Sequence, residues 1–212
     1  MYQSHPSEEL NAHFRHRPYQ GVEPSAATFL FVGLDANYSA TIERSPSFQS
    51  VLEYHQDGVA FWRRYGVHHP FLLPKYRGDG RRYHRAFGRI GFTPGHATLV
   101  SFAELLHVPT VGRNKLVAQD LDPTHLHRLD AAIRRGNAKH IFVSASVARL
   151  MQASKAFPWL PNEPAASGPL RVLYREPSRS VYLHLHFSNY GKFQQQLDME
   201  AHAIAALLPT DR

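Results

Sequence analysis

The chain of 212 residues contains no cysteine. That absence rules out disulfides, thiolate-held iron–sulfur clusters and a thiol nucleophile. No apolar run approaches the roughly 20 residues that a membrane-spanning helix needs. The opening MYQSHPSEELNAHF has no basic stretch leading into an apolar core, so no signal peptide is expected. Low-complexity tracts and internal repeats are missing as well. The expectation is a soluble, cytoplasmic protein without a membrane partner. Residues 1–212 are read as one domain, with residues 1–27, polar and proline-bearing, as a peripheral extension carrying a short helix around residues 8–14. The sequence calls for no cofactor, and a monomer is expected.

Acidic side chains are in short supply. Asp and Glu number 17 against 24 Lys and Arg, a formal net charge of +7, and the sequence pI is near 9.8. A positive balance favours a polyanionic partner such as nucleic acid. The charge is also clustered: Lys75, Arg77, Arg81, Arg82 and Arg85 fall in one segment, interleaved with Tyr76, Gly78, Gly80 and Tyr83. This segment is the first candidate for contact with phosphates. The alternative reading is a solvated loop and helix start. Arg113, with Asn114 and Lys115, and Lys192 near the C-terminus are further candidates.

Four apolar, β-branched and aromatic runs stand out at residues 28–34, 97–102, 140–144 and 181–185. Each suits a strand buried on both faces of a parallel sheet, and residues 170–174 offer an extra short strand. Helical patterns lie between them, the clearest opening at Asp122-Pro123 and carrying Leu126, Leu129 and Ile133 on one face before Gly136. Strands alternating with helices predict an α/β fold, a three-layer α/β/α sandwich around a mainly parallel sheet of about four strands.

In such a sheet, ligands gather beyond the carboxyl ends of the strands. Two strands have strongly polar exits. Gly33-Leu34-Asp35-Ala36-Asn37-Tyr38 leaves the first, and His186-Phe187-Ser188-Asn189-Tyr190 leaves the last. In a parallel sheet both groups emerge on the same edge and can face one cleft. The alternative for Asp35 and Asn37 is a turn or a helix N-cap. The histidines admit a metal reading, since His184 and His186, two apart on a strand, share a face and could chelate one ion. On the helix from Pro123, by contrast, His125 and His127 diverge. No His-Glu-x-x-His pattern occurs, and Asp35 is the one carboxylate with an obvious claim to the cleft. A metal-dependent hydrolase using His184 and His186 is therefore an alternative, and the leading expectation includes no metal.

The two exits resemble the motifs of the uracil-DNA glycosylase superfamily. Gly33-Leu34-Asp35 is similar to the start of that family's first motif, Gly-x-Asp-Pro-Tyr-His or Gly-x-Asn-Pro-Gly. His186 with Ser188 is similar to its second, His-Pro-Ser-Pro-Leu. The resemblance extends over residues 29–196, and Phe48 falls thirteen residues after Asp35, where the family carries a base-stacking phenylalanine. It implies excision of a deaminated or damaged base, most directly uracil, from DNA by base flipping and cleavage of the N-glycosidic bond. In this reading Asp35 and His186 are catalytic. Gly33, Leu34, Asn37, Phe48, Ser101, Ser188, Asn189 and Tyr190 bind substrate, with Phe48 stacking on the base and Tyr190 as the wedge. This chain departs from the motifs at Ala36, Asn37, Ser101, Phe187 and Asn189, changes that bear on base selectivity. A catalytically inactive nucleic-acid- or nucleotide-binding module on the same fold is the alternative from another class.

Overall fold

The computed structural model describes residues 2–112, 115–164 and 168–209. Its strands are β1 (Tyr19–Gly21), β2 (Phe29–Gly33), β3 (Val100–Glu104), β4 (His140–Ser144), β5 (Arg171–Glu176) and β6 (Arg179–His184). Its α-helices are α1 (Glu8–His16), α2 (Phe48–Gln56), α3 (Gly58–Tyr65), α4 (Arg81–Gly88), α5 (Pro123–Arg135), α6 (Ala145–Ser154) and α7 (Gln194–Ala205).

The strands form one mixed sheet in the order β1-β3-β2-β4-β6-β5. β3, β2, β4 and β6 run parallel. β1 and β5 close the two edges antiparallel to β3 and β6. The sheet thus has six strands, not about four. The four interior strands are the ones the apolar runs announce, because a strand covered on both faces is apolar over most of its length. The edges escape that rule: β5 carries Arg171, Arg175 and Glu176, and β1 is only three residues long.

Alternation along β2 divides the core between the two sheet faces. Leu30 and Val32 pack with Leu126, Leu129 and Ile133 of α5 and with Val147 and Met151 of α6. Phe29 and Phe31 pack on the other side with Trp62 of α3, Phe87 of α4 and Leu197, Ala201 and Ile204 of α7. Phe31 stacks on Phe142 at 4.6 Å and on Phe102 at 5.5 Å. Each such pair contributes about 0.5–1.5 kcal/mol beyond the area it buries. Local signals start the helices beside the sheet. The Asp122 side chain accepts from the His125 amide to cap α5, and Ser144, the last residue of β4, accepts from Val147 to cap α6.

The N-terminal segment is not peripheral. It supplies the edge strand β1, and Leu10 and Phe14 of α1 are buried in a third cluster with Phe48, Val51, Phe71 and Tyr76. None of the described helices is long and apolar enough to cross a membrane.

Candidate active site

From β2 the chain steps to β3 on one side, and from β4 it steps to β6 on the other. The reversal lies between β2 and β4, where the loops beyond the carboxyl ends diverge and leave a crevice. A cavity of about 980 Å³ opens there, lined by residues that include Gly33, Leu34, Asp35, Asn37, Phe71, Tyr83, Phe102, Glu104, His186 and Ser188. Ligand pockets run about 300–1,000 Å³, so the cavity has the size of a small-molecule site. β2 and β6 are separated only by β4, which puts their exits about 10 Å apart at the usual strand spacing. Asp35 and His186 accordingly line the same cavity.

The Asp35 carboxylate is oriented from behind. The Thr110 hydroxyl donates to Asp35 Oδ2. Having spent its proton there, Thr110 accepts from the Asn37 amide at 3.1 Å. Thr110 is fully buried, and its backbone pairs with Ala36 and Tyr38, which clips the loop after β2 to the loop after β3. Asn37 thus acts one step behind Asp35 through Thr110, a residue the sequence pattern does not single out.

His186 has a fixed tautomer. Its Nδ1 accepts the Ser188 amide at 3.3 Å and lies 2.6 Å from the Ser188 hydroxyl. A backbone amide can only donate, so Nδ1 carries the lone pair and a neutral ring keeps its proton on Nε2. Burial lowers the His186 pKa, an effect the Asp35 charge partly offsets. The exit of β6 is anchored in turn by Glu200 of α7, whose Oε2 accepts the Leu185 amide at 2.7 Å.

Glu104 is the site residue that sequence reasoning misses. The second strand starts at Val100 and ends at Glu104, two residues beyond the apolar run, while Pro94–Leu99 form a 3₁₀ helix. Glu104 is therefore a strand-exit carboxyl like Asp35, and its register partner on β2 is Gly33. A Cβ at position 33 would lie 2.0 Å from Glu104 Oε2. Gly33 makes room for this carboxyl. Burial, helped by the Asp35 charge, pushes the Glu104 pKa up to about 8. Ser101 belongs on the other side of the strand. It is fully buried, while Phe102 and Glu104, one face over, line the cavity.

Phe48 does not reach the cavity; it is buried in the third cluster between α1 and α2. The aromatic wall is Phe71, stacked on Tyr76 with centroids 3.9 Å apart and planes 6° apart. Glycine is required in the loop above this pair: a Cβ at Gly80 would lie 2.6 Å from the Phe71 ring, and one at Gly78 2.2 Å from the Tyr76 hydroxyl.

Asn189 and Tyr190 line not this cavity but an adjoining groove with Arg81, Arg82, Arg85 and Arg89, and Gly78 and Asp79 border both. Tyr190 is 64% exposed, and the Arg82 guanidinium stands over its ring at 4.3 Å. The arginines are not equivalent. Arg81 donates from Nε to Phe71 O at 3.0 Å and from a terminal nitrogen to Leu73 O at 2.5 Å, so it staples the loop and is not free for a phosphate. Arg77 donates to Pro74 O, and Arg89 pairs with Asp198 at 3.0 Å. Lys75, Arg82, Arg85 and Lys192 are exposed. Arg113 lies outside the described residues.

The histidines outside the cavity have structural duties. His125 Nε2 donates to Glu104 O, His127 Nδ1 to Pro123 O and His184 Nδ1 to Leu185 O. His184 is buried against Phe187, with ring centroids 4.7 Å apart, and does not line the cavity with His186. Among the described residues no group of three or more ligating side chains could hold a metal ion. Of the proposed chelating pair, only His186 lines the cavity. No family model and no curated protein matches the chain, so a functional reading rests on this geometry.

Proposed function

We propose that the protein is a nucleic-acid N-glycosidase on a three-layer α/β/α frame, which takes an extruded base into the cavity and hydrolyses its bond to the sugar. The observation that carries this reading is that Asp35 and His186, from the exits of two parallel strands, line one cavity. Breaking an N-glycosidic bond builds positive charge on the sugar and negative charge on the departing base. A carboxylate beneath the sugar opposes the first and orients the attacking water; this is the role of Asp35. An N–H donor against a base carbonyl stabilises the second; this is the role of His186 Nε2. Phe71 offers the stacking surface, where base–aromatic contact contributes about 1–3 kcal/mol. Tyr190, exposed on the rim, suits the space left by a flipped base.

The direct test uses single-stranded and duplex oligonucleotides carrying one modified base each, uracil first, with release of free base and formation of abasic sites as readouts. Release supports the reading. Tight binding without release from any of them makes the protein a binding module instead.

Backbone contact is assigned to the exposed arginines of the groove. Arg82→Ala combined with Arg85→Ala should flatten the dependence of log K on log salt by about 0.7 per lost phosphate contact on single strands, or about 0.9 on duplex. Arg81→Ala should leave that slope nearly unchanged and lower stability by about 1–3 kcal/mol, through two lost hydrogen bonds of about 0.5–1.5 kcal/mol each. Affinity titrations at several salt concentrations, alongside urea melts, separate the two. Equal slopes in all variants would put the backbone contacts elsewhere.

A further inference from the structure

The reading above leaves one carboxyl of the cavity without a task. Glu104 ends the strand beside β2, lines the same cavity as Asp35, and is laid over the bare backbone of Gly33. Among the described residues no donor is bonded to its side-chain oxygens. Its backbone is held by His125, whose Nε2 donates to the carbonyl at 2.7 Å. An acid that lines a cavity with no donor on its carboxyl is available to a ligand. We infer that Glu104 is a catalytic acid that hands a proton to the departing base, with Asp35 as its basic counterpart. This inference rests on the function proposed above.

The step balances. The C1′–N bond breaks and its electron pair goes to the base, which takes the Glu104 proton on a ring nitrogen or carbonyl oxygen. Water adds its oxygen to C1′ and passes a proton to Asp35. Return of that proton from Asp35 to Glu104 resets the pair. Two carboxyls with separate duties need environments that hold their protons differently. Asp35 is fed by the Thr110 hydroxyl, whereas Glu104 is desolvated and faces the Asp35 charge. Tyr38 from the loop after β2, Tyr54 from α2 and Tyr83 from α4 also face Glu104, and burial raises all three phenols, so they stay neutral. Burial lowers His69 and His84 well below the usual imidazole range, and it lowers His186, where the Asp35 charge partly offsets it. Asp79 lies on the rim.

Glu104 is protonated below about pH 8, so activity that needs its proton is present below that value and lost above it. The experiment is single-turnover release of uracil from a single-stranded oligonucleotide between pH 6 and 9, for wild type, Glu104→Gln and Gly33→Ala. Wild type should lose about tenfold in rate per pH unit above about 8. Glu104→Gln should be about 10²–10⁴-fold slower at pH 7 and show no such fall. Gly33→Ala, which keeps the acid but displaces its carboxyl, should fold and lose rate similarly. Replacing uracil by 5-fluorouracil, whose anion leaves more readily, should shrink the Glu104→Gln defect at pH 7. An active wild type with Glu104→Gln within about threefold of it, or with the same fall near pH 8, overturns this inference alone. A wild type that releases no base overturns the function proposed above and this inference with it.

Discussion

Acidification from pH 7 to pH 5 is expected to lower the stability of this protein by several kcal/mol. His55, His68, His69 and His184 are buried, and burial works against their protonation. Burial takes His55 and His68 down to about 3 and His184 to about 4, and it lowers His69 strongly with help from His84, His68 and His55. Contacts explain why protons are unwelcome. His55 Nε2 lies 2.6 Å from the Tyr38 hydroxyl, and His69 stacks on His84 with centroids 3.5 Å apart. The unfolded chain takes up these four protons near pH 6.5 while the fold refuses them, so stability falls as pH drops below about 6.5. Glu104 and Glu200 work in the opposite sense, since burial raises both and the fold retains their protons where the unfolded chain has lost them. His84, His125, His140 and His186 are lowered as well, so the fold binds fewer protons than the unfolded chain below about pH 6.5, and each proton of difference gives a slope of about 1.4 kcal/mol per pH unit. Against a total of about 5–15 kcal/mol, a loss accumulated over two pH units is a substantial fraction of the whole. Urea melts at pH 7, 6 and 5 measure the slope. His184→Phe should reduce it by about 1.4 kcal/mol per pH unit. Stability unchanged between pH 7 and 5 would show that these rings accept protons in the folded state.

The interior of the sheet was legible because burial on both faces favours apolar residues along most of each strand. β2, β3, β4 and β6 all announce themselves as short apolar runs. The edges were not, since a strand with one open side carries whatever its solvent face tolerates. Asp35 and His186 could be read from their places after strands. Glu104 follows the same logic and was hidden only because a polar residue inside the last turn of pleat looks like loop. Phe48 shows the limit of spacing arguments: an aromatic on a helix face is read equally well as core or platform, and here it is core. Phe71, which does line the cavity, sits in the short 3₁₀ turn Pro70–Leu72, where no period marks it. Arg81 carries the same lesson for charge, because a run of arginines does not say which one is tied to the backbone.

The second large effect concerns Asp35 itself. Asp35→Asn keeps the size of the side chain and can still accept the Thr110 hydroxyl through its amide oxygen, so the fold should survive. It removes the negative charge that opposes the developing sugar cation and orients the water. Losing one preorganised electrostatic contact of this kind costs about 2.7–4 kcal/mol, or roughly 10²–10³ in rate. Affinity for nucleic acid should hold or rise, because a carboxylate near phosphates is repulsive. The loss should appear on every substrate the wild type accepts, including one with a readily departing base, which separates it from the loss expected at Glu104.

The central claim, that this cavity hydrolyses an N-glycosidic bond with Asp35 opposite the sugar, is tested most directly by base release in single turnover for wild type and Asp35→Asn, with a parallel binding titration. The expected result is release by the wild type, a rate about 10²–10³ lower in the variant, and binding that is unchanged or tighter. Equal rates in the two proteins would make Asp35 a turn residue and contradict the account.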